Sequence, residues 1–202
     1  QDVFVNMSPT QSEIYRGMYK KLPALTRWKL ESQYDLSPNE LQRMRSFMTG
    51  PRQVGLSEYG VVGAGRLSPL KAFDRSPKLQ EAFKRLQSTL KTNPDAKSLI
   101  FSNFIGSGLT PYLAGLQRAN IPAAVFSGAM NDQQRKQVVE DYNAGKIKAL
   151  LLGPSGTEGL STKGTRLVQR LDPHWNEARS RQSDGRALRY DSHLHLSPED
   201  RQ

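Results

Sequence analysis

Gln182, Gly185, Arg186 and Arg189 recur at i, i+3, i+4 and i+7, a spacing that puts four side chains on one stripe of a helix. Such a stripe is ordinarily apolar and faces a core. Here it is polar and cationic, and it contains a glycine, which costs about 1 kcal/mol relative to alanine inside a helix. A glycine at that place lets another backbone or a phosphate approach closely. Two arginines one turn apart can bracket a phosphoryl group in transfer, where guanidinium stabilises developing charge. A solvated basic face is the other reading of the same stripe, because arginine pairs at helical spacing are common on surfaces.

A second stretch with chemical potential is GPSGTEGLSTKG at 153–164, directly after the apolar run ALLL. Gly153, Gly156 and Gly159 free its backbone. Ser155, Thr157, Ser161 and Thr162 offer hydroxyls suited to phosphate or ribose oxygens. Loops that follow strand C-termini in an open parallel sheet are where ligands bind, although a glycine-rich loop alone is a weak signal. LDPHWN (171–176) then turns through Pro173 toward the arginine stripe, with Trp175 as the anchor that packs the turn.

Composition narrows the chemistry. The 202 residues carry 29 Lys+Arg against 19 Asp+Glu, a net charge of +10, which points to a polyanionic partner. From residue 151 onward there are seven arginines and only one lysine, a bias that bidentate phosphate recognition explains and solubility does not. The lack of cysteine excludes a disulfide scaffold, a thiol nucleophile and a Cys-ligated zinc site. Only His174, His193 and His195 are present; the last two read as surface residues of a tail, and no metal site is expected. No apolar run approaches about 18 residues and QDVFVNMSPT lacks signal-peptide organisation, so the expectation is a soluble intracellular chain with no membrane partner.

These residues must be positioned by the elements around them. DVFVNM (2–7) alternates like a short strand. Ser8-Pro9 opens a helix carrying Ile14, Tyr15, Met18, Tyr19 and Leu22 on one face. Ser37-Pro38-Asn39-Glu40 has the form of a capping box, with Leu41, Met44 and Phe47 after it. From Thr49 to Leu70 five glycines and two prolines break any periodicity, which predicts a loop.

From Ser76 the pattern becomes regular. Helices are predicted over SPKLQEAFKRLQSTLK, over 109–120, from Asn131-Asp132 with Val138, Val139 and Tyr142 inward, and over about 176–189. Strands are predicted in KSLIFSNF (97–104), AAVFS (123–127), KALLLG (148–153) and TRLVQRL (165–171). Continuously apolar strands alternating with helices imply an α/β fold, a parallel sheet with helices on both faces.

The series KSLIFSNF, FSGAMNDQQRKQVVEDYNAG, LLLGPSGTEGLSTKG, LDPHWN and QSDGRALR resembles the second RecA-like lobe of superfamily 2 helicases, in its Swi/Snf-type DNA translocase branch. DPHWN and the Q-x-x-G-R-x-x-R pattern set it apart from DEAD-box RNA helicases, and the tail RALRYDSHLHLSPEDR is closer in style to viral and phage members. VFVNMSPTQSEIY and PRQVG resemble the segment that joins that family's lobes. The resemblance implies a mainly helical inter-lobe linker over 1–75 and a RecA-like lobe over 76–202.

It also implies roles. Arg186 and Arg189 would reach the γ-phosphate of ATP held by the other lobe, with Gln182 and Gly185 on the nucleotide side. Gly156, Thr157, Glu158 and Gly159 would form the motif that couples nucleotide to nucleic acid. Ser155 of the same loop would touch nucleic acid, and Ser161, which stands where many relatives carry Asp or Asn, would lie on the nucleotide side with Glu158 and Gly159. Ser102 and Asn103, with Ser127 and Gly128, would touch the phosphodiester backbone of double-stranded DNA, contacts that carry no sequence information. One departure is WNE where WNP is commoner.

Hydrolysis of ATP further needs G-x-x-x-x-G-K-[ST] and an acidic magnesium motif. The nearest approach, Gly60 to Gly65 before Arg66-Leu67, lacks both the lysine and the hydroxyl. The expectation is half of a motor, inactive toward ATP alone, whose N-terminal RecA-like lobe and Mg2+ come from the parent chain or a separate subunit. A non-catalytic nucleic-acid-binding scaffold and an RNA-directed helicase are the other readings.

Overall fold

A serine followed by proline starts four of the helices. In each the serine hydroxyl accepts the amide three residues on, and proline, which has no amide proton to lose, takes the first helical position. These are α1 (Pro9–Tyr19), α3 (Pro38–Leu56), α4 (Pro69–Arg75) and α5 (Pro77–Thr92), capped by Ser8, Ser37, Ser68 and Ser76. The short α2 (Ala24–Glu31) lies between the first two. The computed structural model describes residues 2–61, 66–154 and 160–172. The predicted helix over 176–189 lies outside them.

Two expectations for the first part of the chain are corrected. Residues 2–7 form no strand. Their alternation has no neighbouring strand to pair with, and Phe4 is 96% exposed. The loop expected over 49–70 is helical at both ends, because α3 runs on through Gly50 and Pro51 to Leu56 and α4 begins at Pro69. Packing explains the longer helix. Val54 and Leu56 are wholly buried, Gln11 Nε2 donates to the Val54 carbonyl at 2.6 Å, and the missing side chain of Gly50 leaves room for Met18. Burial outweighs the poor helix propensity of these residues.

Next come β1 (Lys97–Phe101), one π-helical turn (Ile105–Leu109), α6 (Thr110–Arg118), β2 (Ala123–Phe126), α7 (Asp132–Asn143), β3 (Ala149–Leu152) and β4 (Thr165–Arg170). All pairings are parallel and the strand order is β2-β3-β1-β4. The strands are too apolar to alternate with solvent, so each face is covered. Ile100, Ala149 and Leu151 point to a core shared with Leu79, Phe83 and Leu86 of α5 and with Tyr112 and Leu116 of α6. Leu56 of α3 and Phe73 of α4 enter the same core. Leu99, Leu150 and Leu152 face the other side, against Phe126, Tyr142 of α7 and Leu160. This is the expected α/β architecture, a parallel sheet with helices on both faces. Among the described residues no helix is long and apolar enough to cross a membrane.

Candidate nucleotide and nucleic-acid site

Because the strands are parallel, their C-terminal ends lie along one edge of the sheet. In spatial order that edge carries Ser127 after β2, Gly153 after β3, Ser102 and Asn103 after β1, and Asp172 after β4. Backbone bonds keep the row aligned. The Ser102 amide donates to the Leu152 carbonyl (3.1 Å) and the Leu171 amide to the Phe101 carbonyl (2.9 Å).

Asp172 organises this edge. Its side chain is 2% exposed, and a buried carboxylate is tolerable only when its oxygens are satisfied. The Ser102 hydroxyl donates to Oδ1 at 2.7 Å and the Asn103 amide at 3.0 Å. Asn103 Nδ2 donates to Oδ2 at 2.6 Å, and Arg52 Nη2 to the same oxygen at 3.3 Å. Lys78, in the first turn of α5, is half-buried beside it. Burial pushes the Lys78 ammonium below its ordinary value, and the charge of Asp172 pulls the other way. Arg52 also lies over the Phe104 ring, 5.2 Å from its centre.

The π-helical turn packs against this hub. Ser102 Oγ accepts the Phe104 amide at 3.1 Å. A Cβ on Gly108 would collide with the Ser102 hydroxyl, so the close approach requires glycine. Ser102 is thereby buried as a support of the edge, whereas Asn103 is half-buried. Ser127 is half-buried and Gly128 exposed in the turn after β2, where Arg135 Nη2 donates to the Gly128 carbonyl at 3.2 Å.

Ser161 stands apart from this row. Its carbonyl accepts Asn143 Nδ2 at 3.0 Å, while Asn143 Oδ1 takes the Lys163 amide at 2.8 Å. The Asn143 carbonyl accepts Lys97 Nζ at 3.1 Å, and the Tyr142 and Thr165 hydroxyls are 2.9 Å apart. Lys97 and Thr165 begin β1 and β4. Asn143 therefore pins the segment entering β4 near the opposite edge of the sheet. Ser155, Gly156, Thr157, Glu158, Gly159, Trp175, Gln182, Gly185, Arg186 and Arg189 lie outside the described residues, as do the three histidines. Among the described residues no group of His, Cys, Asp and Glu can hold a metal ion.

The sequence profile of the helicase conserved C-terminal domain matches residues 81–191, more than half of the chain. The chain belongs to that helicase family. An Acanthamoeba polyphaga mimivirus protein, L538, named for ATP-dependent RNA helicase activity, is 34% identical to this helicase lobe over 131 residues. That match covers 65% of this chain and 28% of the viral protein, so the chain spans under a third of that relative's length. The C-terminal domain of the Sulfolobus solfataricus SWI2/SNF2 ATPase superimposes with a TM-score of 0.65 at 14% identity, covering 100% of this chain and 95% of that domain. The core of the same ATPase in complex with dsDNA gives 0.67 at 16% identity, over 90% of this chain and 37% of that one. The fold is that of RecA-like SWI2/SNF2 C-terminal lobes.

Three members of the hub, Arg52, Lys78 and Asp172, were not singled out by spacing. Arg52 lies within PRQVG and Asp172 within LDPHWN, each the one charged residue of its segment, and that is the signal the sequence offers for them. Lys78 gave none.

Proposed function

We propose that this helicase lobe is the C-terminal half of an ATP-driven double-stranded DNA translocase. The observation that carries the reading is the alignment of Ser127, Gly153, Asn103 and Asp172 along one sheet edge in a helicase-family lobe. That edge is where an open parallel sheet offers its ligand-binding loops.

ATP binds between this lobe and an N-terminal lobe that holds Mg2+ and the phosphate loop. Closure brings Arg186 and Arg189 to the γ-phosphate, where they stabilise charge in the transition state. Gln182 and Gly185 act on the nucleotide side of the same stripe, together with Glu158 and Gly159. Ser127, Gly128, Ser155, Gly156 and Thr157 grip one strand's phosphates. Asn103 joins them through the amide hydrogen that Asp172 does not use, and Ser102 acts by holding Asp172. Closing and reopening then ratchets the grip along the duplex.

The test is made in the parent chain. Arg189→Ala lowers kcat for ATP by about 10³-fold, the scale of an arginine finger, with much smaller changes in nucleotide and DNA affinity. Arg186→Ala behaves similarly, and Arg181→Ala, off the stripe, is the control. Turnover within about threefold of wild type in all three variants refutes the assignment. The 202-residue chain by itself hydrolyses no ATP and binds duplex DNA without sequence preference, with affinity falling steeply as salt rises. Because the mimivirus relative carries an RNA helicase name, the same ATPase assay is run with duplex DNA and with RNA. Stimulation by RNA alone selects the RNA-directed reading, and no stimulated turnover selects the scaffold.

A further inference from the structure

We infer that α2 carries a second nucleic-acid contact, a stacking platform for an unpaired base. Leu25 (60% exposed), Trp28 (51%) and Tyr34 (62%) stand open to solvent on α2 and just after it. The Trp28 and Tyr34 rings stack on each other, 5.0 Å between centres and 23° between planes. That pairing covers one face of the indole, and half of Trp28 stays exposed to solvent.

Charge selects the occupant. Residues 16–34 hold Arg16, Lys20, Lys21, Arg27 and Lys29 against the single acid Glu31. The Tyr19 hydroxyl donates to Glu31 at 3.2 Å, a bond from the end of α1 to the last turn of α2, where Trp28 sits, and Lys20 and Lys21 follow Tyr19 in the chain that leads into α2. Lys20 and Lys21 are exposed and enter no ion pair among the described residues. A stacked aromatic pair on a short segment rich in cations, two of them unpaired, suits a base stacked over one phosphate linkage, the mode by which single strands bind without sequence preference.

The platform is separate from the sheet edge. Lys29 pairs with Glu40 (2.9 Å) near the start of α3, whereas Arg52 reaches Asp172 from its far end. At about 1.5 Å per residue these two anchors are ~18 Å apart along the helix.

Trp28 and Trp175 are the only tryptophans, so Trp175→Phe makes Trp28 the sole indole emitter. Titration of that variant with oligo-dT quenches its emission in parallel with the anisotropy of labelled oligo-dT. Trp28→Ala weakens oligo-dT binding at least fivefold, and Trp28→Phe recovers part of the loss. Lys20→Ala with Lys21→Ala flattens the salt dependence. Far-UV circular dichroism checks the fold of each variant. Unchanged Trp28 emission at saturating oligo-dT, affinity within twofold in Trp28→Ala, or no oligo-dT binding at all overturns the inference. A response of Trp28 only to the N-terminal lobe assigns the surface to a protein contact instead and overturns it equally. The platform is read without nucleotide turnover, so its failure and that of the arginine-finger assignment are separately visible.

Discussion

The hydroxyl of Ser102 donates to the carboxylate of Asp172 at 2.7 Å across 70 residues of sequence. This bond ties the end of β1 to the end of β4 at the point where the chain enters LDPHWN. Asp172 also accepts the backbone amide of Asn103, one hydrogen of its Nδ2 and the guanidinium of Arg52, so one buried charge holds two strands and α3 together.

Asp172→Ala leaves those donors buried without an acceptor and lowers folding stability by about 3 kcal/mol or more. Asp172→Asn retains an acceptor for the Ser102 hydroxyl and costs less. Urea denaturation of both variants checks the order.

Gly108→Ala drives a methyl group into the Ser102 hydroxyl. The expected cost is about 1–3 kcal/mol, typical of overpacking, with faster amide exchange across 102–109 because the Phe104 amide loses its acceptor. Ser102→Ala in the Gly108→Ala background restores part of the stability if the collision is the cause, which a double-mutant cycle measures.

Asn143→Ala removes both bonds that pin the segment entering β4, at about 1 kcal/mol each. Hydrogen exchange at Lys163 accelerates most, since its amide donates to Asn143 Oδ1 at 2.8 Å. Asn143→Asp keeps that acceptor and loses only the donor to Ser161, so Lys163 stays protected in it.

Glu40 supplies a pH dependence. Its carboxyl is lowered to about 2, first by the bond from Lys29 and then by the bonds from Ser37. A depressed carboxylate contributes stability above its unfolded pKa, and that contribution is lost as pH falls toward the folded value. The stability difference between wild type and Glu40→Gln is constant from neutral pH to about pH 5 and closes between about pH 4.5 and 2. Thermal melts across that range check it.

Local causes were legible in the sequence and distant ones were not. The Ser8-Pro9, Ser37-Pro38 and Ser76-Pro77 helix starts and the four strands could be read because capping and continuous apolarity act within a few residues, whereas the Ser68-Pro69 start of α4 lies at the end of a glycine-rich stretch that reads as loop. The extension of α3 to Leu56 could not, because its causes are Gln11 and Met18, which lie on another helix. The sheet edge was foreseen through Ser102, Asn103, Ser127 and Gly128. Its organising carboxylate was read only as part of a turn, since its partners are 69, 70 and 120 residues away. The place of Ser161 was equally hidden, being set by Asn143 eighteen residues earlier.

Pro51 lies inside α3 and has no amide proton, so the carbonyl of Phe47 lacks the donor that an unbroken helix provides. The helix is most compliant over that turn. Beyond it stand Arg52, joined to Asp172, and Val54 and Leu56, locked into buried packing. Before it the helix joins α2 through Lys29 and Glu40 and makes room for Met18 of α1 at Gly50. The ladder of α3 therefore has a missing rung one residue short of the guanidinium that touches the sheet edge, so the backbone bonds before Pro51 and those behind Arg52 are not continuous.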